Sequence, residues 1–142
     1  MTARIVFENA EGGVSITPVH DILSVEEWAN IIVPPGVSWK LVEAADIPAD
    51  RAFRNAWMLD ETLIKEDWAK SVEITKNRLR KERAPLLAAA DVKALRDVET
   101  NGTVSPETAT LKQALRDVTR LADVASSRDE LLALKAAAVV KA

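Results

Sequence analysis

The chain has 142 residues, 48% of them hydrophobic and 29% charged, with a net charge of −3, one histidine and no cysteine. That length suits one domain or a small domain with an appendage, the composition argues against wholesale disorder, and no apolar run reaches the ~20 residues that span a bilayer. Without cysteine, disulfides, thiolate catalysis and cysteine zinc sites are excluded, and one histidine leaves no histidine-based metal cluster within the chain.

Ala3-Arg4-Ile5-Val6-Phe7 is β-prone, Gly12-Gly13 is a turn signal, and Val14-Ser15-Ile16-Thr17 alternates apolar with polar up to Pro18, so a β-hairpin is expected. Ser24 with Glu27 forms a capping box, and Val25, Trp28 and Ile32 recur at helical spacing, which predicts a short helix from about Val25 to Ile32. Pro34-Pro35-Gly36 ends it. Val37, Trp39 and Leu41 then alternate on one face of a third strand. Three strands and one helix make a sheet too thin to be stable without a further layer. Asp46 to Trp57 reads as a link with one or two helical turns, in which Phe53 and Trp57 share a face in the core.

From Asp60 the composition shifts to helix formers, and Val72, Leu79 and Leu86 repeat every seventh residue, with Trp68 four before Val72. A long helix with a narrow apolar seam is expected. Pro85 removes one of its hydrogen bonds, and Leu86 to Val98 reads as a kinked continuation. Asn101-Gly102 closes this arm, and Ser105-Pro106-Glu107 opens the next with an N-cap serine, a proline at the first helical position and an acid at the positive end of the helix. Leu111, Leu115, Val118 and Ala122 form a stripe facing the preceding helix across a short loop. Ser127 with Glu130 is a second capping box, and Leu131, Leu132, Leu134, Val139 and Val140 follow in a tail more apolar than a lone terminal helix needs. The expected class is α+β: a small N-terminal β-β-α-β unit over 1–59, then an antiparallel helical hairpin and a short C-terminal helix over 60–142.

Charge divides unevenly, with a net of −6 over 1–61, +4 over 62–96 and −1 over 97–142. The strongest polar feature is the run Lys76-Asn77-Arg78-Leu79-Arg80-Lys81-Glu82-Arg83, whose charges splay around Leu79 instead of forming one stripe. Nucleic-acid binding needs a focused positive surface, often with aromatic stacking, and only Trp68 is near. Arg78 and Arg83 can alternatively pair with acids of the second helix, such as Asp117 and Asp123, or dock an acidic partner. His20 beside Asp21 lacks a nucleophile motif and reads as a surface histidine. The carboxylates Asp46, Asp50, Asp60, Glu61, Glu66 and Asp67 lack a glycine-punctuated calcium loop, and capping and salt bridging account for them. Gly12-Gly13 lacks a following phosphate-binding pattern. No enzymatic activity, metal or cofactor is expected. Four tryptophans beside two phenylalanines and no tyrosine fill a core by default, with one of them free to anchor an interface.

The order Arg78-Leu79-Arg80-Lys81-Glu82-Arg83-Ala84-Pro85-Leu86-Leu87, Asp91-Val92, then Lys112-Gln113-Ala114-Leu115-Arg116-Asp117-Val118 resembles small tailed-bacteriophage proteins encoded beside tail fibre genes, described as tail fibre assembly or tail assembly chaperone proteins. The pattern Gly12-Gly13-Val14, Pro35-Gly36-Val37 and Ile47 to Trp57 is similar to uncharacterised phage proteins that carry the same C-terminal half. The resemblance implies a protein that acts by contact: a chaperone covering apolar surface of a fibre or tail polypeptide, or a virion component that stays attached. It implies a phage tail or tail fibre partner, self-association, and location in the virion or host cytoplasm; neither membrane nor nucleic acid is expected. Partner contacts are expected at Arg78, Arg80, Lys81 and Arg83 and along an exposed tail at Leu131, Leu134 and Val139. The alternative is a phage regulator that binds nucleic acid or an acidic host protein through the basic helix.

Overall fold

In the computed structural model, which describes residues 3–140, β1 (Ala3–Glu8) is the middle of three strands. It runs antiparallel to β2 (Val14–Pro18) on one side and β3 (Trp39–Glu43) on the other, with Val6 opposite both Ile16 and Lys40. Ile5, Val6 and Phe7 are all buried, because a strand covered on both faces has no solvent side and needs no polar alternation. On one face α1 (Val25–Ile32) packs Ala29, Trp28 and Ile32 against Ile5, Phe7 and Val19. The expected capping box starts this helix: the Glu27 N–H donates to Ser24 Oγ at 3.2 Å, and the Ser24 N–H to Glu27 Oε2 at 2.7 Å. Between β1 and β2, the Asn9 side chain accepts from the N–H groups of Glu11 and Gly13, and Gly12 takes a φ of 84° that a side chain would strain.

The missing layer on the other face comes from a second hairpin. β4 (Trp57–Asp60) and β5 (Leu63–Glu66) pair antiparallel, and Trp57, Leu59 and Ile64 pack on Val6, Val14 and Val42. Two expectations are corrected here. The link at 46–57 does hold one helical turn, a 3-10 helix at Arg54–Ala56 that follows another at Ala44–Asp46, but Trp57 lies on a strand and shares no helix face with Phe53; both side chains are nonetheless core. The long helix also does not begin at Asp60. α2 spans Trp68–Asn101, opened by Asp67, whose carboxylate accepts the Lys70 N–H at 3.3 Å. Helix-forming composition over 60–67 is overridden because Leu59 and Ile64 bury more as a strand layer than as an isolated helical turn. Accordingly the chain divides into two compact units after Ser71, not after residue 59.

In the second unit α2 continues unbroken through Pro85. α3 (Pro106–Asp117), α4 (Arg120–Val124) and α5 (Arg128–Ala133) follow, and a 3-10 helix closes the described chain at Ala136–Val140. The antiparallel course of α3 and α4 on α2 shows in descending partners: Asp97 with Ser105 and Thr108, Asp91 with Lys112, Arg83 with the carbonyls of Leu115 and Arg116, and Lys76 with Asp123 of α4. Ser105 caps α3 with Pro106 at its first position, as the sequence implies. Leu79, Ala90 and Ala94 of α2 are buried, as are Leu115, Val118, Ala122, Leu131 and Ala136 from the returning chain. Two small residues on α2 leave room for close approach. The class is therefore α+β, with the β-β-α-β order, the helical hairpin and the short C-terminal helix in place.

Candidate interaction surface

The basic run of α2 is divided between internal and external work. The Arg78 guanidinium bridges Glu82 at 2.6 Å and the Leu131 carbonyl at 3.0 Å. Arg83 donates to the Arg116 carbonyl at 2.8 Å, and to that of Leu115 at 3.4 Å, close to the negative end of α3, where a cation is favoured. The expected pairings with Asp117 and Asp123 do not form: Asp123 takes Lys76, and Asp117 takes Gln113 and Arg120. Arginine carries a fork of donors that suits carbonyl oxygens, and two helix ends needed them. Arg80 and Lys81 remain exposed, with Arg80 bonded to Asn77. Four cations that looked like one patch are thus two exposed charges and two structural ties.

The apolar tail divides in the same way. Leu131 is fully buried, which corrects the expectation that it lies exposed for a partner. Arg78 holds its carbonyl, and the Ala136 N–H donates to Glu82 Oε1 at 3.0 Å, so the tail is drawn onto α2 at two points. Leu134 and Val139 are half-buried. Val139 and Val140, with Pro106, Leu111 and Ala114 of α3, line an open groove of about 770 Å³ that Lys93 and Glu107 also border. Leu134 lies with Leu121, Val124 and Ala133 along a second groove of about 360 Å³. Val124 is 78% exposed, a large value for a valine with no polar atom to hydrate.

Two carboxylates that sequence reasoning did not single out as structural anchors, Asp97 and Glu82, and a third that it did, Glu130, hold this unit in shape. Asp97 Oδ2 accepts from Thr108 Oγ1 at 2.8 Å, Ser105 Oγ at 2.9 Å and the Ser105 N–H at 3.2 Å, and these bonds, that of Thr108 foremost, hold its carboxyl below the usual range. Glu82 is held low by the Ala136 N–H first and by Arg78 next. Glu130, expected to complete a capping box on Ser127, reaches back to the N–H and hydroxyl of Ser126, which lower it, while Ser127 Oγ still accepts from the Glu130 N–H. Glu82 and Ala136 are joined only by tertiary folding, so no local signal announces them. For Asp97 the signal was partial, in the capping serine that it holds.

The sign of the pH response follows. Carboxylates whose folded-state values lie below the ordinary 4.5 of glutamate and 3.8 of aspartate contribute stability above those values and lose it as pH falls through the lowered ones. The urea midpoint followed by helical circular dichroism is therefore expected to fall as pH drops from about 7 to about 3. Glu82→Gln should flatten part of that fall. A midpoint that rises on acidification contradicts the assignment.

Several of the other features weighed in the sequence make local bonds. Trp28 Nε1 donates to the His20 carbonyl at 2.8 Å, and the two rings meet edge to face at 5.7 Å. Asp50 accepts the Ala52 N–H, Asp60 pairs with Lys65 at 2.7 Å, and Asp67 caps α2. Among the described residues no group of three or more histidine or acidic side chains is placed to hold a metal ion, and no helix is long and apolar enough to cross a membrane. Of the tryptophans, Trp57 is core and Trp68 is 45% exposed. Comparison with protein-family models, curated proteins and solved structures gave no match.

Proposed function

We propose that the chain is a non-enzymatic bacteriophage tail protein that acts through protein-protein contacts, as a virion component associated with the tail fibre or as a tail fibre assembly chaperone. The observation that carries this reading is the groove between α3 and the C-terminal segment, where Leu111, Ala114, Val139 and Val140 present apolar surface to solvent beside one cation and one anion. Such a surface suits an apolar segment of a tail polypeptide: burial supplies the affinity, and Lys93 and Glu107 orient the segment. The residues of the resemblance serve this framework, since Arg78, Arg83, Leu115 and Val118 hold the helices that form the groove. Work in the virion or the host cytoplasm fits either role.

With two of the four basic side chains committed internally, little supports nucleic-acid binding through α2. Val139→Glu places a charge on the groove and is expected to weaken co-elution with the co-expressed tail fibre polypeptide by about tenfold or more, whereas Arg80→Ala with Lys81→Ala leaves it within about twofold. Both outcomes are read by size-exclusion chromatography of the co-expressed pair. Retained binding in Val139→Glu and loss in the basic double variant would contradict the proposal. Finding the chain in purified particles then separates a retained subunit from a departing chaperone.

A further inference from the structure

α2 is apolar on more than one side. Leu79, Ala90 and Ala94 face the returning helices and are buried, yet Lys81, Pro85, Ala88, Val92, Leu95 and Glu99 form a second seam, spaced alternately by four and three residues, and every one of them is exposed. Val92 is 54% and Leu95 66% exposed. Alternating four-three spacing is the signature of a helix face that meets another helix along its length.

We propose that a second copy of this chain covers that face, the two α2 helices lying antiparallel about a two-fold axis at the level of residue 90. The six residues are symmetric about that level. Ala88 then faces Val92, Pro85 faces Leu95 and Lys81 faces Glu99, and the two-fold repeats each pair. Small stands against large at both apolar levels, which lets the helices approach and interdigitate. Opposite charges meet at both ends, and among the described residues neither Lys81 nor Glu99 forms an ion pair within its own chain. The parallel alternative sets Lys81 on Lys81, Glu99 on Glu99 and Ala88 on Ala88, giving repulsion at both ends and a void between. Any alternating four-three seam is mirror-symmetric in position; what points to a second copy is the chemistry placed on it, opposite charges at the two ends and small residues across from large ones, which one sequence satisfies by pairing antiparallel with itself.

The contact runs about 27 Å along each helix, at 1.5 Å per residue. That is short of a standard interface, so a dimer with a dissociation constant on the order of micromolar is expected. This pairing goes beyond the tail-protein reading and does not rest on it, because the test uses the purified chain alone.

Sedimentation equilibrium of the full chain from about 1 to about 500 µM should show a rise from the 15.5 kDa chain mass towards twice that value. Leu95→Glu should remain monomeric throughout, with helical circular dichroism unchanged because the position is exposed. Lys81→Glu alone and Glu99→Lys alone should each weaken the dimer about tenfold, and the two together should restore it to within about twofold. A wild-type chain that stays monomeric at the highest concentration overturns the proposal, as does a dimer indifferent to Leu95→Glu. A double reversal that fails to restore association overturns the antiparallel register. If the chain is monomeric alone and uses this face only for a tail polypeptide, the occupant is a different one and the proposal fails.

Discussion

Replacing Trp57 by alanine is expected to destabilise the N-terminal unit by about 3–5 kcal/mol, the range for emptying a large aromatic site in a core. Trp57 is the side chain through which the β4–β5 hairpin grips the sheet, and it is 1% exposed among Val6, Val14 and Val42. Without it the sheet face opposite α1 loses its largest packing partner, and a three-stranded sheet with one bare face is marginal. Among the described residues the indole N–H has no hydrogen-bond partner, and a buried donor in that state costs about 1–3 kcal/mol. Trp57→Phe removes that cost while keeping most of the ring, so it is expected to fall within about 1.5 kcal/mol of the native chain. All four tryptophans lie within residues 28–68, so fluorescence of the remaining three during urea unfolding reports on this unit. Equal losses for the alanine and phenylalanine variants would contradict the packing argument.

The second large effect belongs to Leu131. Leu131→Ala is expected to cost about 2–5 kcal/mol in the helical unit, since the side chain is fully buried and its backbone is fixed by Arg78. Its neighbour Leu132 is 37% exposed, and Leu132→Ala should stay within about 0.5 kcal/mol. Far-UV circular dichroism under urea reads the difference, because the helices dominate that signal. The contrast also separates two roles: a residue held for a partner leaves stability intact when truncated, whereas a core residue does not. Indistinguishable midpoints for the two variants would show that the tail is not docked as described.

What the sequence made legible was what local chemistry decides. Ser24 with Glu27, Gly12-Gly13 and Ser105-Pro106 each determine their own few residues of backbone, and all three occur where they were expected. The thin-sheet argument correctly demanded another layer without finding it. The β4–β5 hairpin escaped because its turn, Glu61-Thr62, lacks the asparagine or glycine that usually marks one, with Glu61 taking a φ of 53°. Its second strand, Leu63-Ile64-Lys65-Glu66, is also built from helix-tolerant residues. Illegible for a different reason were the destinations of Arg78 and Glu82, whose partners Leu131 and Ala136 lie 53 and 54 residues away. An exposed-looking cation and an exposed-looking leucine became each other's anchor. Of the candidate surface, Leu134 and Val139 border apolar grooves and Arg80 and Lys81 are exposed, and the remaining expected contacts belong to the fold.

These placements leave an apolar, contact-making protein as the reading to be tested, and salt is the variable that tests it. Light scattering coupled to size exclusion, on the chain alone and with the tail fibre polypeptide, at about 0.1 M and about 1 M salt, distinguishes burial from charge because exposed ion pairs are screened at the higher value. The result expected is a chain that co-elutes with the fibre polypeptide at both salt concentrations. A chain that ignores the fibre polypeptide and binds nucleic acid only at the lower salt would contradict the account.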